Sequence, residues 1–167
     1  GRRRKLRLGI LIDEAGQPMP QTLFAALRYG AGQQARMHAG DGLRVLLKRK
    51  RITGAAMALH RSVLDDALPL PTSDWVHDAW IGTLAAMRGE IDSLAEPLID
   101  YRLHSNNQLG LGGNDATPRA EQRKRQLDSE RVECGLLLER ARARGLPAGP
   151  IAWVERKQRH ITVRAQL

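Results

Sequence analysis

Between Pro118 and Gly145 the chain runs without a proline and with one glycine, Gly135. A stretch of that length has few folding options. Leu127, Cys134, Leu138 and Ala141 recur at helical spacing among charged residues, which predicts one long helix over 117–144 with a narrow apolar stripe. Thr117 is suited to cap it, Pro118 to enter its first turn, and Gly145 with Pro147 to end it. A second helix is expected from Pro150, with Ile151, Val154, Ile161 and Ala165 turned inward. Upstream the pattern changes. Leu6 to Ile12 reads as a short buried strand closed by a turn at Asp13-Glu14-Ala15-Gly16. Pro20 to Tyr29 reads as a helix with Leu23, Phe24 and Leu27 on one face, and 30–42 as a loose segment. Leu43 to Arg49 is expected to be helical.

The middle of the chain continues the alternation. Small residues dominate Ile52 to Leu59, and its second half reads as a central strand. A short helix over Arg61 to Leu68 is stopped at Pro69-Leu70-Pro71, because neither proline can donate a backbone hydrogen bond. Asp78 to Arg88 reads as an amphipathic helix closed by Gly89. Two strands, Glu90 to Leu94 and Leu98 to Leu103, are expected around Glu96-Pro97, followed by a Gly/Asn loop over 106–114. Strands alternating with helices predict an α/β fold with a mixed sheet and flanking helices, followed by two C-terminal helices that stand apart from the sheet. The corresponding division is 1–112 and 113–167.

Composition narrows the class. With 42% apolar and 27% charged residues the chain has ordinary globular content, and with 4% aromatic residues its core must rest on aliphatic side chains. Cys134 is the single cysteine, which excludes a disulfide framework and a thiolate metal cluster and points to a buried thiol in a reducing, cytoplasmic setting. No apolar run reaches the length of a membrane span. The net charge of +9 favours anionic partners. Acidic residues interrupt several of the basic runs and no aromatic series accompanies them, so a specific nucleic-acid module is not expected.

Three polar clusters go beyond structural need. In Asp74-Trp75-Val76-His77-Asp78-Ala79-Trp80, a carboxylate at a helix mouth meets unpaired amides and the positive end of the dipole. That favours its ionised form by about 0.3–1 kcal/mol, so Asp78 is expected to be charged at neutral pH and able to act as a general base. The plainer alternative is that Asp78 caps the helix and Trp80 is core. In Tyr101-Arg102-Leu103-His104-Ser105-Asn106-Asn107, a strand end opens into a polar loop, the usual ligand edge of open α/β sheets. Arg102 there could hold a diphosphate and His104 a metal, or His104 could simply be a hydrogen-bonding loop residue. In Thr53-Gly54-Ala55, the glycine marks close approach of either a ligand or another part of the chain. No P-loop, dinucleotide fingerprint, nucleophile elbow or zinc spacing is present.

Taken in order, these clusters resemble family 2 glycosyltransferases, especially a rhamnosyltransferase-like branch. The resemblance rests on Ile52-Thr53-Gly54-Ala55-Ala56-Met57-Ala58-Leu59-His60-Arg61, on Pro69-Leu70-Pro71, on His77-Asp78-Ala79-Trp80-Ile81, and on Glu96-Pro97-Leu98 through Tyr101-Arg102-Leu103-His104 to Asn107 and Gly110. Leu11-Ile12-Asp13-Glu14-Ala15-Gly16 is similar to the turn after that family's metal-binding strand, and the whole match spans about 6–112. The resemblance implies part of a GT-A (Rossmann-like) fold and transfer of a sugar from a nucleotide-sugar donor to a hydroxyl of a glycan or lipid-linked acceptor. Polysaccharide biosynthesis for the cell envelope, in the cytoplasm or at the inner face of the membrane with peripheral contact, would be its setting. A divalent metal, Mg or Mn, is implied for the full-length family member.

Carried over by position, the resemblance makes Asp78 the catalytic base. It puts Thr53, Gly54, Trp75, His77, Trp80 and Arg102 around the substrates and His104 at the metal or diphosphate. The chain has no DxD motif, lacks the family's N-terminal nucleotide-binding half, and carries Gly9 where many relatives carry another Asp. It is therefore expected to be an acceptor-side fragment that needs the missing half for activity. The alternatives are a basic module for nucleic acid or anionic membrane, and a non-catalytic helical interaction piece.

Overall fold

The computed structural model describes residues 4–72, 76–104 and 118–166, and the side chains of all of these except 4–8 and 95. Among the described residues there are three strands and seven α-helices. Strands β1 (Arg4–Ile12), β2 (Pro18–Thr22) and β3 (Ile91–Arg102) form one mixed sheet in the order β2-β1-β3, antiparallel between β1 and β2 and parallel between β1 and β3. The mixed α/β expectation holds at that level.

The β1–β2 turn forms as the sequence predicts. Asp13 Oδ1 accepts from the Gln17 amide at 2.8 Å, and Gly16 adopts φ +83°, a left-handed conformation that favours glycine. Beyond it the expected helix from Pro20 is a correction. Residues 18–22 instead pair with β1 as an exposed edge strand, where Pro18 and Pro20 are tolerated because one side needs no ladder bond. Thr22 Oγ1 then caps the short helix α1 (Leu23–Ala26) by accepting from the Ala25 amide at 3.2 Å. The supposedly loose segment contains α2 (Ala31–His38), which begins where the Gln33 side chain accepts from the Gly30 amide at 3.0 Å. Helix α3 (Gly42–Lys48) follows as expected.

The central strand expected in the second half of 52–59 is also a correction. Met57 alone makes a β-bridge there, directly after a single 3-10 turn at Gly54–Ala56 in which Ala56 packs on Leu11 and Leu23. After α4 (Ser62–Ala67), helix α5 (His77–Met87) runs through the interior. It is not amphipathic, since every residue from Ala79 to Met87 is buried. The Trp80 indole N–H donates to Ala67 O at 2.9 Å, and the Thr83 hydroxyl donates back to Ala79 O at 2.7 Å. Gly89, at φ +71°, ends the helix while the Glu90 amide returns to Ala85 O.

The two strands expected around Pro97 are one. β3 keeps its pairing with β1 by slipping register, Arg7 facing Leu94, Leu8 facing Pro97 and Gly9 facing Ile99. A bulge on a strand with a single neighbour absorbs the missing proline N–H.

Helices α6 (Arg119–Ala143) and α7 (Ala148–Ala165) lie off the sheet but not off the core. Leu127, Cys134, Leu137, Leu138, Ala141, Val154 and Ile161 join one apolar cluster with Trp80, Leu84 and Met87. Ala165, expected inward, is exposed. Thr117 and the 106–114 loop lie outside the described residues. Arg140 ties the layers together: its guanidinium lies 5.2 Å from the Trp80 ring centroid and donates to the carbonyls of Asp66 and Pro69 at 3.0 and 2.8 Å. Arg88 pairs in a fork with the buried Asp66 carboxylate.

Cys134 is buried as anticipated, and desolvation pushes its thiol from 9.0 up to about 11. Because the folded value lies above the unfolded one, its contribution to stability is whole below pH 9 and is lost as pH rises toward 11. Urea unfolding at intervals across that window should show wild type losing about 2–3 kcal/mol relative to Cys134→Ala. Parallel curves for the two proteins would refute the assignment.

Candidate functional site

The sequence clusters resolve into two places. The first joins residues twenty-four positions apart: Asp78 Oδ2 accepts from the Gly54 amide at 2.7 Å, and Oδ1 accepts from the Ala79 amide at 2.5 Å. Local backbone explains the meeting. Val76 takes the cap position of α5 in extended conformation, so Asp78 falls in the first helical turn. The 3-10 turn at Gly54 points its amide outward from the chain toward that turn. A Cβ on Gly54 would stand 3.0 Å from His77 Nε2 and 3.7 Å from Asp78 Oδ2, so the two segments lie in close approach at this glycine. Asp78 and Thr53 are half-buried, while His77 and Ala55 are exposed beside them. The carboxylate is thus neither sealed nor fully solvated, and each oxygen keeps acceptor capacity beyond its one backbone partner.

The second place is the β1–β2 turn. Arg102 donates to Glu14 O at 2.7 Å and to Asp13 O at 3.4 Å, and His104 lines a shallow depression with Asp13, Glu14, Ala15, Met19 and Leu103. Along β3 the side chains alternate. Ile99, Tyr101 and the following Leu103 pack with Leu11 and Ala56, so Arg102 projects from the opposite face of the sheet. Gly54 and Asp78 belong to the Ala56 side. The expectation that Arg102 shares a cleft with Asp78 is therefore corrected: its guanidinium is engaged by backbone carbonyls of the turn. The signal was in the sequence, as apolar residues at 99, 101 and 103 alternate with Asp100 and Arg102.

The other candidates divide similarly. Trp80 is 1% exposed and belongs to the core, so its carried-over role of stacking on a sugar is corrected; no face of its ring is open to one. Trp75 lies outside the described residues. No group of three or more His, Cys, Asp or Glu side chains placed to hold a metal occurs among the described residues, His104 included. Gly9 has a packing reason to lack a side chain: a Cβ there would approach Ile99 Cγ1 to 2.9 Å and Leu23 Cδ2 to 3.1 Å.

The basic run over 156–164 reads in the sequence as a solvated face; the structure gathers it with Arg44 and Lys48 into a cationic surface between α3, α6 and α7, a meeting that no single segment shows. Among the described residues no helix is long and apolar enough to cross a membrane. Compared with protein-family models, curated proteins and solved structures, the chain matches none.

Proposed function

We propose that the chain carries the acceptor-side chemistry of a glycosyltransferase, with Asp78 as the base that takes a proton from a sugar hydroxyl. One observation supports this above the others: two segments singled out separately, Thr53-Gly54-Ala55 and His77-Asp78, meet around a half-buried carboxylate held by the Gly54 amide. Held in place by two backbone donors, the carboxylate needs little reorganisation to accept a proton. His77, exposed next to it, would hydrogen-bond the incoming acceptor. The nucleotide-sugar, and any Mg or Mn that neutralises its diphosphate, would be held by a family-type donor half. Arg102 and Trp80 have no part in this reading, and the GT-A relationship of the fold belongs to the same proposal.

A structural reading also has an observation in its favour. Both Asp78 oxygens accept backbone N–H groups, as expected of a pin between a helix start and a turn. Acceptor binding separates the two. In amide-resolved NMR titrations with a panel of neutral oligosaccharides, an acceptor site predicts saturable shifts at Gly54, His77 and Ala79, weakened by His77→Ala. A pin predicts no response at these amides to any sugar.

A further inference from the structure

Beside the apolar seam that buries Val154 and Ile161 against α6, helix α7 carries a strip of basic residues that faces α3. Trp153, Arg156, Lys157, His160 and Arg164 follow one another at helical spacing, and Arg44 and Lys48 oppose them from α3. Together they line a groove of about 520 Å³, within the ~300–1,000 Å³ typical of small-ligand sites. A single acid, Glu130, lines it, and Glu130 is paired with Lys157 at 3.1 Å, while Lys157 also donates to Leu47 O at 2.5 Å. Trp153 organises two further cations: the guanidinium carbons of Arg44 and Arg156 lie 4.3 and 5.5 Å from its ring centroid. Among the described residues, Lys48, Arg156 and Arg164 form no ion pair. Like charges are thus concentrated in a concave site, with Arg44 and Arg156 set against Trp153 and Lys157 hydrogen-bonded, an arrangement that a multiply charged anion complements.

We propose that this groove binds the phosphomonoester or diphosphate group of a small ligand. Arg156 and Arg164 would grip its oxygens from α7 and Lys48 from α3, while Arg44, set against Trp153 and paired with Asp41 at 3.6 Å, flanks the site. The concavity favours a compact headgroup over an extended polyanion, and the proposal stands apart from the role given to Asp78.

Calorimetric titration of the whole chain with inorganic pyrophosphate tests it, alongside co-sedimentation with phosphatidylcholine vesicles with or without phosphatidic acid. Saturable pyrophosphate binding that weakens at least ~tenfold in Lys48→Glu and in Arg164→Glu would support a soluble ligand. Sedimentation only with phosphatidic acid, lost in the same variants, would support a lipid headgroup. Arg123→Glu, on the exposed flank of α6 outside the groove, changes net charge equally and should leave affinity within about twofold. Arg156→Gln, which removes a charge without reversing it, should repeat the loss in milder form if a reversal disturbs folding. Absence of binding to both probes, or an equal loss in Arg123→Glu, would overturn the proposal.

Discussion

Trp80→Ala should destabilise the protein by about 3–5 kcal/mol, the cost of deleting a large buried aromatic side chain. Trp80 is 1% exposed at the centre of the cluster that α5 shares with α4 and α6. Its removal opens a cavity, leaves Ala67 O without its indole donor and takes away the ring beneath Arg140. Domains of this kind have a total stability of about 5–15 kcal/mol, so the variant should unfold at much lower urea and melt roughly 10 °C earlier. Trp80→Phe, which keeps most of the apolar volume and loses the N–H, should cost about 1–2 kcal/mol. Trp153→Ala is the contrast, because that ring is 37% exposed at the groove. Equal losses at positions 80 and 153 would show that α5 is not the centre of the core.

Under the proposed function, the largest functional effect belongs to Asp78→Asn. In an enzyme made by joining the chain to a family 2 donor-binding half, kcat should fall by about 10²–10⁴-fold, the usual contribution of a general base. The KM for the acceptor should change little, because the amide oxygen still accepts from the Gly54 N–H and keeps the turn closed. Its NH2 cannot accept from the Ala79 amide, which costs about 1 kcal/mol of stability. Asp78→Ala should match that loss of rate and add about 1–2 kcal/mol of instability, since two backbone donors are left without their acceptor. A pin without catalytic duty predicts the reverse pattern, in which stability falls while turnover changes less than about tenfold.

Local rules made much of this architecture readable. Asp13 and Gly16 marked the first turn, Pro69 the end of α4, Gly89 the end of α5, and Gly145 the break between α6 and α7. Each acts through its own backbone, and sequence reports such effects directly. The edge strand at 18–22 was hidden because its pairing is tertiary: β1 supplies the partner, and the prolines that argue against a strand are harmless at an edge. No strand forms in the second half of 52–59 beyond a bridge at Met57, because the small residues before it serve close approach instead: Gly54 meets α5 and Ala56 packs on Leu11 and Leu23. The burial of α5 on all sides was legible and overlooked, since no charged residue occurs between Ala79 and Met87. For the site, the Gly54–Asp78 contact could not be seen from either segment alone. The separation of Arg102 from it follows from side-chain alternation along β3.

The most direct measurement is a crystal structure of the chain soaked with an oligosaccharide selected by the NMR titrations. A base in position requires an acceptor hydroxyl about 2.6–3.2 Å from an Asp78 carboxylate oxygen, with His77 beside the sugar. A sugar seated away from Gly54 and His77, with Asp78 still occupied by its two backbone amides alone, would contradict the assignment of Asp78 as the catalytic base.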